Sequence, residues 1–155
     1  MVIAEAMIGF GDKAVEYFRM INPIEHSKTK DAVIKYKVEP YVIPADVYGQ
    51  GNLAGRGGWT WYTGSSSWMY IAGIKNILGI NIEDGYLSLK PAIDREWKDY
   101  SVRLKFNNTV YNINVKNSGN INNEVKKVTI NGVELKDKKI KLNENAGICE
   151  VSVEI

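Results

Sequence analysis

The least ordinary stretch of the chain is Gly55-Arg56-Gly57-Gly58-Trp59-Thr60-Trp61-Tyr62-Thr63-Gly64-Ser65-Ser66-Ser67-Trp68. It passes from a glycine-rich approach through an aromatic cluster to a hydroxyl-rich turn that enters a helix. The first free N–H groups of a helix point back toward such a turn, and the helix dipole favours an anion there. Thr63 and Ser65 add hydroxyl donors, and Gly64 lets a ligand come close to the backbone. A phosphate-sized anion suits this pattern. The plainer alternative is that the serines are ordinary helix caps and that Trp59, Trp61 and Trp68 are core. The tryptophans have another chemical use as well, because aromatic faces stack on the C–H faces of pyranose rings.

Two further groups can do chemistry. His26 is the one histidine, in Asn22-Pro23-Ile24-Glu25-His26. It can donate to phosphate oxygens, and imidazole as a class changes charge near neutral pH. Its alternative is an ordinary surface or satisfied core residue. Glu39-Pro40-Tyr41 presents a carboxylate and a phenol on a proline-stiffened loop, groups suited to sugar hydroxyls; the alternative is simply a loop. The single cysteine, Cys149, excludes an intramolecular disulfide and a cysteine-based metal site. It falls in an apolar strand pattern and reads as core.

The elements that must hold these groups divide into two regimes, with a composition shift near Gly79–Gly85. In the first, Ala14, Val15, Phe18 and Ile21 follow helix spacing after Asp12, and Asn22-Pro23 ends that helix. Met1–Ile8 reads as a short helix cut off by Gly9 and Gly11. Between Asn22 and Ser66 little periodicity is visible, and a loop of that length in a compact domain is usually functional. From Ser67 a second helix is expected, with serines as N-caps, Trp68, Ile71, Ala72, Lys75 and Leu78 on one face, and Gly79 as C-cap. The second regime reads as antiparallel β structure. Tyr100 to Phe106 and Tyr111 to Val115 alternate around Asn107-Asn108, and Val128 to Ile130 leads through Asn131-Gly132 to Val133 and Leu135. Ile140 with Leu142, and Cys149 to Ile155, add two strands. Six or seven short strands with one apolar face each imply a two-sheet sandwich.

Taken together and in order, INPIEH, KVEPYV, ADVYG, GRGGWTWYTGSSSW and ILGI resemble the C-terminal part of glycoside hydrolase family 94, the glycosyltransferase 36-type phosphorylases. The GRGGWTWYTGS form most resembles the β-1,2-glucan group, which includes 1,2-β-oligoglucan phosphorylases and cyclic β-1,2-glucan synthases. The resemblance covers about residues 8–115. It implies an α+β chain: the terminal helices and active-site loops of an (α/α)6 barrel over 1–82, then an antiparallel β-sandwich over 83–155. It implies inverting, reversible phosphorolysis of a β-glucosidic bond, with inorganic phosphate as co-substrate and no cofactor. In that chemistry a phosphate oxygen attacks the anomeric carbon while a carboxylic acid protonates the leaving oxygen. Inverting hydrolysis instead needs a second carboxylate to activate water.

Carried over by motif, the resemblance gives His26, Thr63 and Gly64 to phosphate and Glu39, Tyr41 and Trp61 to sugar. It gives no catalytic residue in this chain, because neither Asp12 nor Asp46 sits in the motif of the family's general-acid aspartate. The expected partners are a β-glucan or glucose 1-phosphate and a separate N-terminal catalytic polypeptide; a homo-oligomer is plausible because helices cut from a toroid expose apolar faces. Two alternatives belong to other classes: a noncatalytic carbohydrate-binding module using Trp59, Trp61 and Tyr62, and a self-associating structural remnant.

Composition narrows the rest. The 45% hydrophobic and 25% charged content is that of a globular protein. A formal net charge of +2, with the excess spread over short lysine pairs, does not call for nucleic acid. The N-terminus lacks a basic flank before a long apolar run, so no secretory signal is expected. No stretch approaches the ~18 apolar residues needed to span a bilayer, and a cytoplasmic location is expected by default.

Overall fold

A computed structural model describes residues 1–61, 63–118 and 124–155. Its helices are α1 (Val2–Met7), α2 (Gly11–Ile21), α3 (Lys30–Tyr36) and α4 (Thr63–Ile71). The chain falls into two compact units, Glu16–Gly73 and Met1–Val15 with Ile74–Ile155.

Helix α2 buries Ala14 and Val15, as their spacing requires, and stops where Asn22 Oδ1 accepts from the Ile24 N–H at 3.0 Å ahead of the proline constraint. The following stretch contains more regular structure than its sequence suggests. Thr29 caps α3 by accepting from the Ala32 N–H at 3.2 Å. The helix closes at Lys37, a non-glycine residue in the left-handed region at φ 54°. Only Tyr36 of α3 is buried, and it joins Val38 and Val42 in a small core. Against that core lies a two-residue hairpin, β1 (Asp46–Val47) with β2 (Gly57–Gly58). A side chain at Gly57 would overlap Val38 Cγ2, so close packing selects glycine there.

Helix α4 begins at Thr63, four residues earlier than its sequence suggests, so Ser65, Ser66 and Ser67 lie inside it and are not its caps. It widens into π-helical turns over Ala72–Ile77. That widening shifts the helix face: Ala72 and Ile77 are buried, whereas Trp68 and Lys75 are exposed. Gly79 follows at φ 71°, where a Cβ would also collide with the Lys90–Pro91 backbone. The position demands glycine twice over.

The remaining strands form two sheets. One is three-stranded and antiparallel, from β3 (Ile80–Glu83), β4 (Tyr86–Leu89) and, much later in the chain, β9 (Lys139–Lys141). The other comprises β5 (Asp99–Phe106), β6 (Thr109–Lys116), β7 (Lys127–Ile130), β8 (Val133–Glu134) and β10 (Ile148–Glu154), in the order β5-β6-β10-β7-β8. Alternate residues of both sheets are buried, among them Leu87, Ile140, Tyr111, Ile113, Val128, Cys149 and Val153. This is an α+β, sandwich-like arrangement. One pairing departs from the antiparallel expectation: β10 lies parallel to β6, with Ile148 opposite Val110 and Glu154 opposite Lys116. Among the described residues no helix is long and apolar enough to cross a membrane.

Candidate functional site

The six residues singled out in the sequence occupy three places. His26 stands in a single 3₁₀ turn, Glu25–Ser27, just past α2. Its Nε2 lies 2.7 Å from the Met20 carbonyl oxygen. A carbonyl only accepts, so Nε2 carries the proton and Nδ1 is the nitrogen left for a ligand. The ring stacks on Tyr36 with centroids 4.7 Å apart and planes 26° from parallel. Tyr36 is buried, and that burial pushes its phenol above the ordinary value. The buried phenol thus forms a fixed floor under the imidazole. Beside it, the Ser27 hydroxyl oxygen is buried and has no hydrogen-bond partner among the described residues.

Glu39 and Tyr41 lie on the turn that leaves Val38, closed by the Val42 N–H donating to the Glu39 carbonyl at 3.2 Å. Tyr41 is 73% exposed and Trp61 62%, yet their rings meet edge to face at 6.0 Å and 69°. Two residues 20 positions apart are therefore brought together with most of their aromatic surface open to solvent. Burying apolar faces is what drives folding, so a large ring pair held outside suggests a ligand-facing role. Trp59 and Trp68 are also exposed, which removes the core reading of all three tryptophans. Trp59 and Trp61 both sit in the left-handed region, at φ 51° and 65°. For bulky side chains that is a strained backbone, of a kind that clusters at ligand clamps.

Thr63 and Gly64 open α4, as an anion site at a helix start would need. Gly64 is exposed, and a Cβ there would meet nothing within 4 Å. Packing does not require glycine at that position; an approaching ligand could. The Thr63 side chain and Tyr62 lie outside the described residues. The sequence reading missed Tyr36 and the Met20 carbonyl, which together orient His26. No motif marks a backbone carbonyl, and Tyr36 lies in a helix too short to display periodicity.

A sequence model described as the glycosyl hydrolase 94 superfamily, catalytic domain, matches residues 1–79. Over 140 residues the chain is 42% identical to the cyclic beta-(1,2)-glucan synthase NdvB of Rhizobium meliloti (strain 1021), covering 86% of this chain and 5% of that protein. It is 31% identical over 131 residues to an N,N'-diacetylchitobiose phosphorylase of Vibrio proteolyticus, covering 84% of this chain and 16% of the other. A solabiose phosphorylase of Paenibacillus borealis aligns at 25% identity over 141 residues, 86% of this chain and 17% of its own length. The chain thus spans only 5% to 17% of the length of these relatives.

Proposed function

Because the chain belongs to the glycosyl hydrolase 94 superfamily, we propose that it forms the phosphate- and sugar-facing part of a site that phosphorolyses or synthesises β-glucosidic bonds with inversion, with a β-1,2-glucan as the glucan. His26, Thr63 and Gly64 hold inorganic phosphate, and Glu39, Tyr41 and Trp61 contact sugar. A phosphate oxygen forms the new bond to the anomeric carbon as the glycosidic C–O bond breaks, and the leaving oxygen takes a proton from a carboxylic acid. That acid belongs to a segment or polypeptide outside these 155 residues. Residues 1–82 are then the terminal helices and loops of an (α/α)6 catalytic domain, and 83–155 a β-sandwich domain. The observation that carries this reading is that all six named residues lie within the span matched by the catalytic-domain model.

The test is co-expression with an N-terminal polypeptide carrying the remainder of such a domain. Phosphate should be released from glucose 1-phosphate with a β-glucan acceptor only when both polypeptides are present. His26→Ala and Thr63→Ala should each lower that rate at least about tenfold, the scale of a lost charge-assisted hydrogen bond. Full activity of this chain by itself would overturn the assignment of the acid elsewhere. The exposed Tyr41–Trp61 pair favours one second reading, a noncatalytic carbohydrate-binding module. Calorimetry with β-glucan separates the two, since a module binds equally well with and without phosphate.

A further inference from the structure

Asp46 has no part in the proposed phosphate and sugar contacts, yet its place in the fold is well defined. In the β1–β2 hairpin Asp46 stands opposite Gly58 and Val47 opposite Gly57. Tyr48 follows two positions later, and its N–H donates to the Arg56 carbonyl at 2.9 Å, which continues the pairing. Residues two apart on an extended strand share a face. A Cβ built on Gly58 would stand 2.6 Å from Asp46 Oδ1 and 3.2 Å from the Tyr48 hydroxyl oxygen. The carboxylate and the phenol thus converge over Gly58, a buried hairpin position with no side chain to stand between them. Asp46 is exposed, and no hydrogen bond or ion pair to its side chain is present among the described residues. The next residue after Gly58 is Trp59, 71% exposed and turned by its left-handed backbone.

We infer that Asp46 and Tyr48 form a second hydroxyl-binding element for the glucan, beside the Tyr41–Trp61 pair, and that Gly58 keeps its place open. The inference rests on the proposed sugar-facing role of this region. A carboxylate accepts from two hydroxyls at once, and a phenol both donates and accepts, so the pair matches a vicinal diol of a glucopyranose ring. The charge decides against the other ligand of the site: a lone carboxylate repels phosphate. It is also too few ligands for a metal ion, and no group of three metal-ligating side chains exists among the described residues. The hairpin therefore selects a neutral polyol, while His26 and Thr63 serve the anion.

Calorimetric titration of the wild-type chain, Asp46→Asn, Tyr48→Phe, Gly58→Ala and Trp61→Ala with a β-1,2-linked glucose trisaccharide, in the absence and presence of saturating inorganic phosphate, tests this. Asp46→Asn should weaken trisaccharide binding by about tenfold or more, as expected for a hydrogen bond to a charged group. Tyr48→Phe should weaken it several-fold. Gly58→Ala keeps the carboxylate but displaces it, and should behave like Asp46→Asn. Inorganic phosphate should bind Asp46→Asn no more weakly than wild type, which separates a sugar contact from general loss of the site. Wild-type affinity in both Asp46→Asn and Gly58→Ala, with binding lost in Trp61→Ala, overturns this inference and leaves the sugar site standing. Absence of trisaccharide binding by the wild-type chain, with and without phosphate, overturns both.

Discussion

At the scale of single residues, the decisive feature is which nitrogen of His26 is free. The residue is conspicuous in the sequence as the one histidine, but its tautomer is set by the Met20 carbonyl at 2.7 Å and its plane by Tyr36 at 4.7 Å, neither of which a motif reveals. Since Nε2 holds its proton for the carbonyl, Nδ1 of the neutral ring can only accept. Its fitting partner is the P–OH of a phosphate ion, which near neutral pH carries a proton that sulfate lacks. Phosphate should therefore bind the wild-type chain several-fold more tightly than sulfate in calorimetry, and His26→Ala should narrow that difference. Equal affinity for the two anions in the wild type would remove His26 from the anion site. The aromatic residues teach a different lesson: the types of Trp59, Trp61 and Trp68 leave a core reading and a sugar-stacking reading both open, and their exposure removes the first.

At the scale of elements, legibility follows length and the strength of the turn signal. α2, the β5–β6 hairpin and the Asn131-Gly132 turn between β7 and β8 were readable because apolar periodicity and turn residues agree. The β3–β4 hairpin carries the same kind of signal, Asp84-Gly85 with φ 51° and 76°. The parallel pairing of β10 with β6 was not readable at all, because alternation reports which face a residue occupies and not the direction of its neighbour. Tyr100 shows how β5 is tied to the segment before β3. Its hydroxyl donates to the Leu78 carbonyl at 2.8 Å, its ring meets Trp97 edge to face, and burial holds its phenol far above the ordinary tyrosine value. The unfolded chain loses tyrosine protons near pH 10, while folded Tyr100 keeps its own. Above about pH 10 the unfolded state thus binds fewer protons, and stability falls with rising pH by at most ~1.4 kcal/mol per pH unit from this residue. Tyr100→Phe should cost about 1 kcal/mol at neutral pH through the lost hydrogen bond and reduce that alkaline slope. Denaturant unfolding at pH 8 to 11 measures both, and an unchanged slope would assign the alkaline loss to other groups.

At the scale of the whole molecule, the two kinds of apolar side chain demand different explanations. Ile113 and Leu87 are fully buried between strands, whereas Met7, Ile8, Phe10, Met20, Ile21 and Ile34 are exposed, and several are neighbours in sequence. Scattered exposed apolar residues are ordinary, but contiguous ones mark surfaces that another chain or segment covers. The polypeptide proposed above to carry the remainder of the catalytic domain is also the occupant proposed for these faces, and in its absence copies of the chain should meet through them. Sedimentation velocity over a concentration series should then show self-association, and Phe10→Glu with Ile34→Glu should shift it toward monomer. Because both side chains already face solvent, the double variant should alter stability by no more than about 1 kcal/mol. Ile113→Ala provides the opposite control, costing about 2 to 5 kcal/mol by leaving a cavity while association of the folded chain persists. A chain monomeric at every concentration would show that the exposed faces do not attract one another, and would leave the covering polypeptide as their sole proposed partner.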